Sequence, residues 1–383
     1  MKRDLTWATA LILVLPGPRA RADDPPPVAI TYDKGFKLTS GDARFVLKTA
    51  VRSQFRLEGA RPAAGGETLA RFYIPRLRLQ LEGQAFGPAL TYKLELGASE
   101  KGATMVKDAY LDDHVGAVHL RAGQFKRPFN RQELVSDFAG VFNERSLASE
   151  HVGGGRDAGV MVHNGFEHSP RGIEWALGLF DSANGGKDRP LQTTTCKADA
   201  AGTLTCTTSA PSNVMGDFGP AVVARAGWNF GKLKGYSEAD LEGGPVRAGI
   251  GVNYKVDLAD FDDAAMVQAL GIDFVLKVRG LDLGAGGFLT IGARSSAGDR
   301  PRGAAAYLQA GALVTRTVHL AARFATAPAA GKLDQREIEA RGAVNKFFQG
   351  HTWKLASDLG VVGDPGERAA LRVEVRSMAQ LTF

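Results

Sequence analysis

Residues 371–383 read LRVEVRSMAQLTF, and their alternation decides the fold. Leu371, Val373, Val375, Ala379, Leu381 and Phe383 share one face, broken at Ser377, while Arg372, Glu374, Arg376, Gln380 and Thr382 share the other. A period of two is the signature of a strand. One oily face and one charged face suit a wall between hydrocarbon and water. A soluble sandwich also alternates, but there an exposed apolar edge invites aggregation. On a membrane wall the final phenylalanine takes a place in the interfacial aromatic girdle.

The same pattern recurs upstream. Leu47, Val51, Phe55 and Leu57 oppose Lys48, Arg52, Gln54, Arg56 and Glu58; Leu77, Leu79 and Leu81 oppose Arg76, Arg78, Gln80 and Glu82; Tyr92, Leu94 and Leu96 oppose Thr91, Lys93 and Glu95. Continuing along the chain predicts strands near 106–113, 117–124, 157–165, 172–181, 220–230, 245–255, 266–279, 281–293, 304–315, 316–326, 334–346, 351–362 and 369–383. Short turns such as 85–88 alternate with longer polar connections such as 59–68, and 231–244 reads as a long connection at the short-turn end. The expected fold is all-β: a transmembrane antiparallel β-barrel of about 16 strands, wide enough to keep an aqueous lumen.

Residues 1–22 carry Lys2 and Arg3, the apolar run Ala8 to Leu15 and the motif Ala20-Arg21-Ala22, the plan of a cleaved secretory signal. Domain boundaries follow: a signal peptide at 1–22, a Pro-rich leader at 23–43 and the barrel at 44–383. An exported chain without an apolar helix of about 20 residues enters a membrane only as a closed barrel, which places this one in the bacterial outer membrane. The formal charge of +6 falls to +3 once residues 1–22 are removed, so global charge gives no reason to expect nucleic acid as a partner. Cys196 and Cys206, an even pair in an exported chain, predict one disulfide. No CxxC or closely spaced His/Cys set suggests a metal, no cofactor motif is present, and no GxSxG places a nucleophile, so neither cofactor nor catalysis is expected.

Within the chain, Gly116–Leu134 reads GAVHLRAGQFKRPFNRQEL. Val118, Leu120 and Ala122 alternate with His119, Arg121 and Gly123; then alternation stops and Lys126, Arg127, Pro128 and Arg131 follow, so a strand delivers a basic loop. GQFKRPFNRQEL resembles the signature of the phosphate-selective porin family, the outer-membrane channels called porins O and P. The flanking KDAYLDDHVGAVHLRAGQFKRPF and FNERSLASEHVGGGRDAGVMVHNG follow that family's order of segments, and the resemblance is densest over Arg71 to Gly165. It implies a trimeric barrel for inorganic anions such as phosphate and chloride, set in outer-membrane lipid, with the third extracellular loop folded inward and GQFKRPF at its entrance.

A pore selects anions when Arg or Lys rings line it, and the planar guanidinium fork suits phosphate. The expected anion-binding residues are the loop cations Lys126, Arg127, Arg131, Arg145 and Arg156 with Arg121, then the inner-face set Arg52, Arg56, Arg76, Arg78 and Lys93. Glu58, Glu82, Glu95, Asp108, Glu174, Asp273, Asp282, Glu339 and Glu374 share that face, so pairing with carboxylates is the competing role. The alternatives to an anion-selective pore are a general, weakly selective porin and a non-conducting barrel serving as adhesin or scaffold.

Overall fold

The computed structural model describes residues 28–98, 104–153, 155–181, 189–190, 193–198, 204–209, 220–258, 268–292, 302–329, 332–367 and 370–383. The expected signal segment lies outside them, as do Asp260, Asp262 and Asp263 of an acidic loop. Within the segment assigned from sequence to the leader, the chain forms a hairpin of β1 (Ala29–Tyr32) and β2 (Phe36–Thr39). The wall begins with β3 (Val46–Pro62), β4 (Leu69–Ala85), β5 (Leu90–Ala98), β6 (Thr104–Val115), β7 (Val118–Lys126), β8 (Arg156–His163) and β9 (Gly172–Asp181). The connection after β9 carries β10 (Arg189–Pro190), β11 (Thr193–Ala198) and β12 (Leu204–Ser209). The wall resumes with β13 (Pro220–Phe230), β14 (Arg247–Asp257), β15 (Gln268–Val278), β16 (Leu281–Ile291), β17 (Arg302–Leu313) and β18 (Val318–Ala329). It ends with β19 (Lys332–Gln349), β20 (Trp353–Gly363) and β21 (Arg372–Thr382).

Each wall strand pairs antiparallel with its neighbour, and β9 pairs with β13 across the long connection. Closure comes from β21 against β3, in register from Arg372↔Pro62 to Thr382↔Arg52. Phe383 then exchanges both backbone hydrogen bonds with Val51, at 2.9 and 2.7 Å, and beyond that point β2 takes over as partner for Val46–Thr49. The sixteen wall strands are those the alternation predicts, although β3 and β4 run longer and shorten their connection to residues 63–68.

Burial is inverted relative to a soluble protein. Leu57, Leu120, Val160, Leu177, Ile272, Leu289 and Leu359 are exposed, while Arg56, Glu95, Glu174, Arg225 and Asp273 are almost wholly buried. An apolar surface continuous around the barrel exceeds the few hundred Å² a soluble monomer shows, and hydrocarbon is the solvent that removes the cost. Exposed aromatics gather at the short-turn end, where Phe45 meets Phe86 edge-on at 5.3 Å and Phe348 stacks on Trp353 at 5.0 Å. Together with Phe383 they form the girdle expected at a membrane interface.

The third long connection, residues 127–155, turns into the barrel. Gly123 prepares that turn: its φ is 129°, and a Cβ there would stand 2.2 Å from the Ala109 carbonyl oxygen. Beyond it Gln124, Phe125 and Lys126 are all buried, and Pro128 withholds the N–H that a further ladder step needs. Asn130 caps α1 (Arg131–Leu134) by accepting from the Gln132 N–H at 3.1 Å. Ser146 caps α2 (Leu147–Val152) by accepting from Ser149 N–H at 3.2 Å. Phe129, fully buried, packs with Phe125, Met161, Phe180 and Phe288 against the inner wall.

In the hairpin of β11 and β12, Cys196 lies opposite Cys206 in the strand register. That pairing favours the expected disulfide, so thiol alkylation of the denatured, unreduced protein should label neither cysteine and prior reduction should expose two. Labelling without reductant would refute the bridge.

Candidate functional site

The lumen is where the inward faces of the strands, the inserted third loop and a second inserted segment meet. On β3 and β4, Arg56 donates to Glu144 at 2.6 Å and to the Asn143 carbonyl at 2.8 Å, and Arg76 donates to Glu144 at 2.6 Å. Arg78 bonds Glu95 at 3.0 Å and also Asp137, while Arg52 lies 3.6 Å from Glu95 and donates to Ser136 at 2.9 Å. Three arginines, Arg56, Arg76 and Arg78, therefore converge on Asp137 and Glu144 of the third loop, and Arg52 reaches the same loop at Ser136. Although burial pushes the Asp137 carboxyl up, Arg145, Arg78 and Arg76 hold it well below the usual carboxylate range. For Glu144 the same opposition between burial and Arg76 and Arg56 ends at about 2. Both loop carboxylates are ionised at any working pH.

The remaining expected residues fall into two groups. Lys93 and Arg156 share Asp108, each at 2.8 Å; Arg121 bridges Asp112 and Glu167; Arg145 bridges Glu133 and Asp137. Arg127 is buried at the entrance of the loop and donates its backbone N–H to the Gly155 carbonyl at 3.1 Å. Lys126 and Arg131 differ, because no described carboxylate stands within ion-pair distance of either. Lys126 gives its ammonium protons to the carbonyls of Glu133, Leu134 and Val135, which close α1. Arg131 lies over the Tyr236 ring at 4.3 Å, with one guanidinium nitrogen buried and unbonded.

Several lumen residues escaped the sequence reading. Arg341 is the hub of one wall, bonded to Glu339 at 3.1 Å, Asp358 at 2.6 Å and Glu374 at 2.7 Å. Its alternation with Glu339 along β19 carried the signal. Lys255 donates to the Val152 and Gly153 carbonyls at the end of α2, and Lys354 to the Gly140 carbonyl at 2.6 Å. Residues 231–244, read from sequence as a long connection at the short-turn end, enter the lumen from that end. There Glu238 accepts from Val141 N–H at 2.7 Å and Gln132 Nε2 at 3.0 Å. Tyr236 and Glu174 share Arg225, which is also bonded to Asp273 at 2.7 and 2.8 Å.

Below this meeting point lies a cavity of about 430 Å³ at the short-turn mouth, lined by Lys34, Lys48, Arg52, Lys234, Arg247 and Lys277 against Glu82, Asp240 and Glu242. Lys277 donates to Ser237 Oγ at 2.7 Å and the Ala239 carbonyl at 3.0 Å, and meets no described carboxylate within ion-pair distance.

Residues 50–225 match the family described as phosphate-selective porin O and P, which shows the resemblance carried by GQFKRPFNRQEL. The fold is that of an outer-membrane porin. Solved structures agree in fold. The porin superposes on an anion-selective porin from Comamonas acidovorans with a TM-score of 0.55 and 12% identity, covering 88% of this chain and 99% of that one. A loop-deleted OmpT of Vibrio cholerae gives a TM-score of 0.56 at 10% identity, over 89% and 100% of the two chains. The outer-membrane channel DcaP of Acinetobacter baumannii gives 0.55 at 11% identity, over 88% and 97%. A search of curated protein sequences found no match to the porin.

Proposed function

We propose that this porin is a passive conduit for small anions, with phosphate among its favoured solutes, and that it assembles as a homotrimer. The observation carrying the reading is the composition of the short-turn mouth, six cations around a cavity with three carboxylates. Charges facing a lumen between low-dielectric walls concentrate counter-ions more strongly than they do on an open surface. Above the mouth, the buried Lys354, Arg131 and Lys126 and the half-buried Lys255 continue a series of cations held by carbonyls or an aromatic ring. Such cations keep their field available to a passing anion, whereas arginines neutralised by carboxylates chiefly shape the bore. The phosphate preference is supported by the family match, and the trimer is what the resemblance to that family implies.

The test is reconstitution of the purified protein in a planar bilayer. Step currents with a reversal potential of anionic sign in a KCl gradient, and block of chloride current by added phosphate, are the expected results. A reversal potential near zero assigns the general, weakly selective role instead, and absence of steps assigns a non-conducting barrel. Lys277→Gln should move the reversal potential toward zero, and an unmoved value removes the mouth from the selectivity mechanism.

A pH dependence follows from Glu150 on α2. Its side chain is accessible within the lumen but closely enclosed by protein, and this burial, with Arg145 opposing it and Glu133, Glu144 and Asp137 reinforcing it, pushes the carboxyl up to about 6. As pH falls from 7 to 5 the group takes up a proton and the lumen loses a negative charge. Anion preference should therefore rise over that interval, and Glu150→Gln should show the low-pH preference at pH 7. An unaltered pH profile in that variant would exclude Glu150.

A further inference from the structure

Three histidines stand in one rank across three adjacent strands near the short-turn mouth. His114 of β6 pairs in register with His119 of β7, and His119 pairs with His163 of β8. All three belong to the lumen face, with ring centroids 3.9 Å apart for the first pair and 4.8 Å for the second. Asp112 lies beneath them. Its Oδ2 is saturated by Arg121 Nε at 2.8 Å and His163 Nε2 at 3.1 Å. Its Oδ1 is buried and has no hydrogen-bond partner, and an oxygen left in that state is costly unless something fills its lone pairs.

Two ring nitrogens face that oxygen. His119 Nδ1 is 3.3 Å and His114 Nε2 3.9 Å from Asp112 Oδ1. His163 is committed elsewhere: its Nδ1 accepts from Gly165 N–H at 3.0 Å, so a neutral ring carries its proton on Nε2 and gives it to Asp112 Oδ2. Arg121 is neutralised in part by Glu167 at 2.8 Å, which leaves Asp112, Glu167 and Arg121 with a net negative charge between them. With zinc bonds of about 2.0–2.2 Å, two ligands of a tetrahedral ion stand roughly 3.3 Å apart. The His119 to Asp112 separation already has that value, and His114 Nε2, on the accessible rim, stands 3.9 Å from the same oxygen and has to move closer to ligate.

We propose that Asp112 Oδ1, His119 Nδ1 and His114 Nε2 form a binding site for a divalent transition-metal cation such as Zn²⁺, with a fourth position open to the mouth. Imidazole nitrogen with one carboxylate oxygen is a donor set for borderline metals and a poor one for Ca²⁺ or Mg²⁺. His163 and Arg121 act as positioning residues, fixing the carboxylate through its other oxygen. Asp112 and His114 lie two residues apart on β6, and His119 joins them across the hairpin to β7, so register brings the third ligand to the other two.

The experiment is titration calorimetry of the detergent-folded, full mature protein with ZnCl₂, paired with the visible absorption of bound Co²⁺. One Zn²⁺ per chain and an intense low-symmetry Co²⁺ spectrum are expected. His119→Ala and Asp112→Asn should each weaken binding about 10–100-fold, while His151→Ala, in the third loop, leaves it unchanged. Heat-modifiable migration on a gel shows whether each variant is folded; should one misfold, the wild-type Co²⁺ spectrum decides alone. A weak six-coordinate Co²⁺ spectrum, or Zn²⁺ binding as tight in His119→Ala as in the parent, overturns the site. None of these readouts involves current, so their failure leaves the channel reading untouched.

Discussion

Replacing Arg225 with methionine is expected to leave little folded barrel. Arg225 has no exposed side-chain surface, and neither do its partners Glu174 and Asp273. The guanidinium uses its whole fork: Nε on Glu174 at 3.0 Å, and Nη1 and Nη2 on the two oxygens of Asp273 at 2.7 and 2.8 Å. Removing one member strands two buried carboxylates, and breaking a buried ion pair costs about 3–5 kcal/mol. That is a large part of the stability of an ordinary domain. Urea unfolding in detergent, followed by heat-modifiable migration, measures the loss. A variant as resistant as the parent would mean that water reaches Glu174 and Asp273. Changing all three residues together to apolar ones of similar size should recover most of the stability, because the penalty lies in the orphaned charges.

The second large effect concerns the segment that enters from the short-turn end. Glu238 ties it to the third loop through Val141 N–H and Gln132 Nε2, and Asp240 ties it to the wall through Arg247 and Gly280 N–H. Replacing Ser237–Leu241 with a glycine-serine link of equal length should keep the sixteen-stranded wall and raise single-channel conductance severalfold, since side chains at the narrowest part of a bore set its resistance. Residual flicker should also increase, because the third loop loses the carboxylate that satisfies Val141. An unchanged unitary step would place the ion path elsewhere in the lumen.

The wall was legible in the row because lipid and water enforce a period of two on every strand, so Leu77-Arg78-Leu79 or Val373-Glu374-Val375 declares its orientation without any tertiary knowledge. The inner lining was only half legible. Alternation set Arg56, Arg76 and Arg78 on one face, but their partners Asp137 and Glu144 sit in an irregular loop, where no periodicity announces direction. Lys255 and Lys354 were passed over because their importance comes from the carbonyls presented to them, which no strand pattern announces. The entry of residues 231–244 had no signature at all, since a polar connection looks the same in sequence whether it faces the periplasm or climbs into the bore. The histidine rank likewise depends on which strand neighbours which.

One consequence of the inserted third loop is mechanical. From its root between β7 and β8 it fastens by hydrogen bonds to Asn253, Asp273, Gln309, Glu339 and Asp358 across the bore, and to Gln54 and Gln380 on either side of the closing seam. A hollow cylinder squeezed sideways by a bilayer flattens easily, whereas one with a cross-brace keeps its round section. The loop therefore works as a strut, and a change such as Asn143→Ala, which removes the side-chain bonds to the Ala356 and Arg376 carbonyls, should alter the bore by letting the tube become oval.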